Sequence, residues 1–159
     1  MTSFILADSA SCIGCRTCEI ACAMEHVTED ATFRPRLKVL RLDTLSVPVM
    51  CHQCENAPCV SACPVMALTM GSERVEADDS RCIGCQSCVV ACPFGVISVD
   101  VNPEQKTTAI LKCDLCNGRE RGPACIDVCP TAALSKISEQ QLREMQKQRE
   151  RATASLFLR

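Results

Sequence analysis

The chain has 159 residues, 16 of them cysteine, with 17 Lys and Arg against 19 Asp and Glu for a formal net charge of −2. Its four aromatic residues, Phe4, Phe33, Phe94 and Phe157, cannot fill an interior of this size, since aromatic rings normally supply large pieces of a core. The basic residues are scattered with no aromatic-interleaved basic face, which speaks against nucleic acid, and no stretch approaches the roughly 18 apolar residues of a membrane span.

The opening MTSFILADSA has no positive n-region, no twin arginine and only the short apolar stretch from Phe4 to Ala7, so it does not read as a signal peptide. The expected location is cytoplasmic, unless a partner carrying a signal exports the folded pair. Group I of the cysteines follows: Cys12, Cys15, Cys18 and Cys22, in CIGCRTCEIAC. The segment from Arg34 to Met50 supplies a strand near Leu37 to Leu42. Group II is Cys51, Cys54, Cys59 and Cys63, in CHQCENAPCVSACP. A strand (Ala67 to Met70), a Gly71-Ser72 turn and a second strand (Arg74 to Ala77) then form a hairpin, on the alternation of apolar and polar residues.

Group III is Cys82, Cys85, Cys88 and Cys92, in CIGCQSCVVACP, followed by the strand-like PFGVISVDV and a further strand at Lys106 to Lys112. Group IV is Cys113, Cys116, Cys125 and Cys129, in CDLCNGRERGPACIDVCP, and passes into PTAALSKIS. Groups II, III and IV therefore end in Cys-Pro, a short helical turn and a strand. Group I does not: Ala23 follows Cys22, and the chain runs on through Met24 to Thr32. At the end, Ser138 and Gln141 form a capping-box pattern ahead of helix formers from Glu139 to Ala152, whose thin apolar stripe is Leu142, Met145 and Ala152. Such a helix lies on the protein's own surface or, given the apolar Leu156-Phe157-Leu158 beyond it, serves as a docking arm for a partner.

Groups I and III carry the run C-x2-C-x2-C-x3-C that ligates [4Fe–4S] clusters, and II and IV differ only before their third cysteine. No cysteine is left over, so all 16 are expected ligands of four [4Fe–4S] clusters. An oxidised cubane of +2 held by four thiolates carries −2, so four of them take the loaded protein to about −10. Zinc ribbons do not need a third cysteine at x2 and a fourth at x3 followed by proline. Direct disulfides between such close cysteines would be strained, and there is no secretion signal to favour them. The two histidines, His26 and His52, make no constellation for thiol catalysis, so no catalytic residue is assigned; His52, inside CHQC, reads as a solvated side chain or one that tunes a potential or faces a partner.

In two-cluster ferredoxins the fourth cysteine of one run ligates the other cluster. Groups II and III, joined by a compact hairpin, read as one such unit, and groups I and IV as a second into which the first is inserted. The expected sets are Cys12, Cys15 and Cys18 with Cys129; Cys113, Cys116 and Cys125 with Cys22; Cys51, Cys54 and Cys59 with Cys92; and Cys82, Cys85 and Cys88 with Cys63. Pairing I with II and III with IV is the alternative. The expected fold is α+β: two pseudo-symmetric ferredoxin-like units, 1–50 with 105–137 and the inserted 51–104, plus a C-terminal helix and tail over 138–159.

With these motifs in place, the chain resembles the four-cluster iron–sulfur subunits of molybdopterin oxidoreductases, most closely the small cytoplasmic proteins associated with formate dehydrogenase and hydrogenase. The resemblance is carried by FILADSASCIGCRTCEIAC, CHQCENAPCVSACP, CIGCQSCVVACPFG and KCDLCNGRERGPACIDVCPTAAL. It implies a double-ferredoxin fold with I–IV and II–III paired, and a large molybdenum- or tungsten-pterin partner. Relatives with a membrane anchor or a long insertion before group IV differ from this chain. The expected function is an electron-transfer subunit between such an enzyme, formate dehydrogenase, and a hydrogenase or other acceptor, with a free polyferredoxin or a maturation factor as the other reading.

Overall fold

All four cysteine runs bend in the same way just before their second cysteine. Gly14 (φ 68°), Gln53 (φ 50°), Gly84 (φ 71°) and Leu115 (φ 61°) each occupy the left-handed region there. That turn curls the backbone so that cysteines two residues apart face a common centre. In groups I and III a second left-handed residue, Arg16 or Gln86, then starts a helix. In groups II and IV a proline, Pro58 or Pro123, does so instead, its fixed φ suiting a first turn. After the Cys-Pro steps the chain turns again through Met66, Gly95 and Ala132, all at positive φ.

The computed structural model describes residues 3–27, 33–102 and 107–157. Its strands are β1 (Ser3–Ala7), β2 (Leu37–Leu42), β3 (Leu45–Met50), β4 (Leu68–Met70), β5 (Val75–Ala77), β6 (Ser98–Asn102), β7 (Thr107–Leu111) and β8 (Leu134–Ser138). The helices are α1 (Thr17–Glu25), α2 (Pro58–Ser61), α3 (Ser87–Ala91), α4 (Ala124–Asp127) and α5 (Glu139–Leu156). The expected residues Thr28 to Thr32, Lys106 and Leu158 lie outside the described residues. The architecture is a mixed α/β arrangement of short elements.

The strands pair in antiparallel twos: β2 with β3, β4 with β5, β6 with β7, and β1 with β8 from Ser3 opposite Ser138 to Ala7 opposite Leu134. The hairpin between groups II and III forms as expected, shorter by one residue at each strand start. The β3 partner of β2 escapes a reading of the sequence because Pro48 sits within it, opposite Val39, and proline argues against a strand. Two-stranded sheets tolerate it, since each strand has a free edge. Residues 104 and 105, the expected border between units, fall between β6 and β7, so that hairpin spans the border.

Buried side chains gather into two clusters. One holds Ile5, Leu37, Val39, Met50, Leu115 and Leu134 with Cys18, Cys22, Cys51, Cys113 and Cys125. The other holds Ala57, Ala67, Leu68, Val75, Ile97 and Ile110 with Cys59 and Cys88. Cysteines of groups I and IV thus dominate the first, and those of II and III the second, with Cys51 crossing over. In α1 no proline stops the chain after Cys22, and the helix continues to Glu25.

The capping box of α5 is present in full, Ser138 accepting from the Gln141 backbone N–H and Gln141 accepting from that of Ser138. The helix runs four residues beyond Ala152. None of its residues is buried, and Leu156 and Phe157 are 72% and 83% exposed. An open groove lined by Leu6, Leu142, Met145, Ala154 and Phe157 runs along it.

Gly14 shows how closely the first run is wrapped. A Cβ built on it would lie 2.6 Å from Ser46 Oγ and 3.0 Å from Ser46 Cβ, on the neighbouring β3, at a φ of +68°. Gly14→Ala is therefore expected to cost about 2 kcal/mol or more, combining left-handed strain with the clash. That corresponds to a fall of about 4–8 °C in the thermal midpoint of the loaded protein. Gly95→Ala, at φ +61° with nothing within 4 Å, is expected to cost only the backbone strain. Differential scanning calorimetry of both variants decides; equal midpoints would remove the clash from the account.

Candidate iron–sulfur centres

The bends and helix starts bring the thiols into four groups drawn from different runs. Cys12, Cys15 and Cys18 line a cavity together with Cys129, roofed by Val39, Pro48 and Leu134. Cys51, Cys54 and Cys59 line a second with Cys92, beside Val75 and Ile97. The space free of protein atoms is about 320 Å³ in the first and about 300 Å³ in the second. Cys22 is an electrostatic neighbour of Cys113, Cys116 and Cys125. Cys63 stands in the same relation to Cys85 and Cys88, and Cys88 to Cys82. Two cavities therefore each join three cysteines of one run to the last cysteine of another, and the electrostatic neighbours of Cys22 and Cys63 follow the same pattern.

The groups also influence one another electrostatically. Cys18 of the first is an electrostatic neighbour of Cys125, and Cys113 is one of Cys51. Helices α2 and α3, which carry Cys59 and Cys88, pack together.

All 16 cysteines are free thiols. Burial pushes Cys18 and Cys59 up to about 11 and Cys113 up to about 12, and it raises Cys125 further. On the rim the direction reverses: the Thr17 hydroxyl lowers Cys15, and Ser87 lowers Cys85. A thiol so buried is no nucleophile at neutral pH. It becomes a thiolate only when a cation replaces its proton, which is metal ligation rather than catalysis.

Backbone donors are already aimed at the sulfurs. Arg36 N–H donates to Cys22 Sγ (3.3 Å), Ala124 N–H to Cys116 Sγ (3.4 Å), Ala67 N–H to Cys63 Sγ (3.2 Å) and Ala133 N–H to Cys129 Sγ (3.3 Å). The last two repeat one geometry, four residues after the cysteine of a Cys-Pro step. Four convergent thiols, enclosing space and N–H···S donors fit [4Fe–4S] clusters, whose potentials such hydrogen bonds tune.

The histidines divide. His52 is exposed and stacks on Phe94, centroids 4.0 Å apart. His26 is largely enclosed, its side chain 10% exposed. Nδ1 lies 2.7 Å from the Cys22 carbonyl oxygen and Nε2 3.1 Å from Asp114 Oδ1. Burial opposes its protonation, but Asp114 and Cys22 outweigh burial and raise it to about 10. His26 then donates from both nitrogens. Asp114, also bound by Arg36 at 2.7 Å, is held far below the usual carboxylate range by His26 and Arg36 against the cost of burial. His26, Asp114 and Cys116 offer ligand atoms within 4.8 Å of one another, but the first two are already committed to each other. With 88 positions between His26 and Asp114, no sequence pattern signals the pair.

Two further polar side chains go unannounced in the sequence. Gln53, 1% exposed, donates to the Cys113 carbonyl oxygen (2.7 Å) and accepts from Val75 N–H (3.0 Å). Lys112, 2% exposed, donates through Nζ to the carbonyl oxygens of Val75 (2.6 Å) and Cys113 (2.9 Å). Burial pulls the lysine below its ordinary pKa, opposed by Cys51, Cys113, Asp114 and Cys59.

Among the described residues no helix is long and apolar enough to cross a membrane. Residues 42–139 match the 4Fe–4S dicluster domain family, and residues 9–25 match a 4Fe–4S binding domain. Among relatives in Escherichia coli (strain K12), UacF is 48% identical over 161 residues, covering 98% of this chain but only 24% of that protein. Electron transport protein HydN is 40% identical over 175 residues, covering 99% of this chain and 100% of the relative. Formate hydrogenlyase subunit 2 is 35% identical over 183 residues, covering 96% and 90%. The chain belongs to this 4Fe–4S dicluster family of iron–sulfur electron-transfer proteins, which also holds HydN and formate hydrogenlyase subunit 2.

Proposed function

We propose that the chain holds four [4Fe–4S] clusters in two nested dicluster units and carries electrons between a molybdenum- or tungsten-pterin catalytic subunit, formate dehydrogenase, and a hydrogenase or other acceptor, in the cytoplasm. The observation that carries the reading is the make-up of the two cavities, each lined by three cysteines of one run and the fourth of another. The ligand sets are Cys12, Cys15, Cys18 and Cys129; Cys113, Cys116, Cys125 and Cys22; Cys51, Cys54, Cys59 and Cys92; and Cys82, Cys85, Cys88 and Cys63. Each cluster supplies a one-electron site.

The electrostatic links between groups favour one order of the sets. The set closed by Cys129 adjoins the one closed by Cys22 through Cys18 and Cys125. That one adjoins the set closed by Cys92 through Cys113 and Cys51, which leaves the set closed by Cys63 at the far end. The two buried clusters of side chains support the nested units, with the β6–β7 hairpin belonging whole to the inserted one because Ile110 packs there. A linear order with opposite ends free suits a protein serving two partners, and the names of HydN and formate hydrogenlyase subunit 2 point to which.

Size-exclusion chromatography of anaerobic native lysate tests the assignment. The tagged chain is expected to elute with a pterin-containing subunit that reduces it on addition of formate. A loaded chain eluting alone would favour the free polyferredoxin or maturation factor and overturn the complex. Because α5 buries nothing, ending the chain after Ser138 is expected to leave the iron content within about a tenth of the full-length value while weakening co-elution at least tenfold.

A further inference from the structure

The seam between the two buried clusters contains a charge that none of the ligand sets uses. Lys112 immediately precedes Cys113, and its stem reaches across to β5, where Nζ meets the Val75 carbonyl oxygen. The Cys113 carbonyl oxygen, 2.9 Å away, is the other acceptor. Gln53 closes the same seam, bonded to the same Cys113 carbonyl and to Val75 N–H. An ammonium only 2% exposed is costly unless its charge is answered, and two carbonyl dipoles do not answer a full charge.

No carboxylate pairs with it: among the described residues Lys112 makes no ion pair, and Asp114, which lines a pocket with it alongside Glu76 and Asp79, is occupied by His26 and Arg36. Its two acceptors place it between two sites: Cys113 belongs to the set closed by Cys22, and Val75 lines the cavity of Cys51, Cys54, Cys59 and Cys92. A cubane with four thiolates carries −2 when oxidised and one charge more when reduced, so a fixed cation between two such sites favours the reduced state of both. The cavity closed by Cys129 is lined by none of Lys112, Gln53, Val75 and Cys113.

We propose that Lys112 is a potential-setting residue, a buried positive charge that raises the reduction potentials of the two inner sites, those closed by Cys22 and Cys92, above what their ligands alone would give. The assignment rests on the ligand sets proposed above. It gives the two inner sites, one in each unit, a common adjustment, so that an electron crossing the seam between units meets no step created by the change of unit. Gln53 and the paired carbonyls hold the ammonium where it acts on both.

The test uses Lys112→Gln, which keeps a donor for the carbonyls but removes the charge, and Lys112→Arg, which keeps the charge. Iron and acid-labile sulfide are measured first, then the potentials by titration monitored with electron paramagnetic resonance. In K112Q two of the four couples are expected to become about tenfold harder to reduce, a fall of about 59 mV for one electron, while the other two stay in place. In K112R all four are expected to stay near the wild-type values. Should K112Q load fewer clusters, Gln53→Glu, which puts a carboxylate into the same seam, is expected to lower the same two couples. Fewer than four clusters in the wild type would overturn the ligand sets. Four clusters with unmoved potentials in the charge variants, or an equal shift of all four couples, would overturn the role of Lys112 alone.

Discussion

Stripped of iron by a chelator under reducing conditions, the chain is expected to lose its cooperative unfolding transition altogether. Every described sheet has only two strands, and an isolated two-stranded hairpin is marginal in water. Apolar side chains do not make up the difference: five of the eleven residues in the larger buried cluster are cysteines, each a member of a proposed ligand set. Removing a structural metal from a small domain forfeits about 10–16 kcal/mol, on the scale known for zinc, against a total stability of about 5–15 kcal/mol for a typical protein. Burial alone cannot replace that, because the thiols left behind are polarisable groups facing empty space rather than packed neighbours. Far-ultraviolet circular dichroism and calorimetry of the apoprotein read the outcome. A cooperative transition surviving full iron removal would show that the hairpins and helices hold together unaided.

A second large effect separates the two ways of pairing the runs. A Cys22→Ala, Cys113→Ala double variant is expected to lose one cluster, about four of about 16 iron atoms, because both cysteines serve one set. A Cys22→Ala, Cys51→Ala variant is expected to lose two, about eight iron atoms, because its cysteines serve different sets. Were group I paired with group II, the two results would exchange places. Iron per chain, checked against acid-labile sulfide, distinguishes them, and the two single variants show whether damage spreads between neighbouring sites.

The legible parts of this molecule are those written locally. Cysteine spacing and the Cys-Pro steps announce the runs, the Gly71-Ser72 turn announces the hairpin between groups II and III, and the Ser138–Gln141 box fixes the start of α5 to the residue. The absence of proline after Cys22 foreshadows the longer α1. The parts that stayed hidden depend on distant partners or on residues behaving against type. Strand β3 contains Pro48, and β1 meets β8 across more than a hundred positions. Lysine is almost never fully buried, so nothing in KCDLC marks Lys112 as interior; only the folded chain reveals the two carbonyls that receive it. Nothing near His26 in the sequence points to Asp114, which it reaches only at the end of α1.

The pairing of β1 with β8 has a consequence in time as well as space. Ser3 leaves the ribosome more than a hundred residues before its partner Ser138. Hairpins β4–β5 and β6–β7 can close once residue 111 is out, while β1 waits for some 25 residues more. Cys12, Cys15 and Cys18 spend that interval without Cys129, the member that completes their cavity. Pairing partners thus become available from the middle of the fold outward, and Cys12, Cys15 and Cys18 wait longest for theirs. A cell making this protein must keep those thiols reduced and unclaimed by stray metal until the final strand arrives.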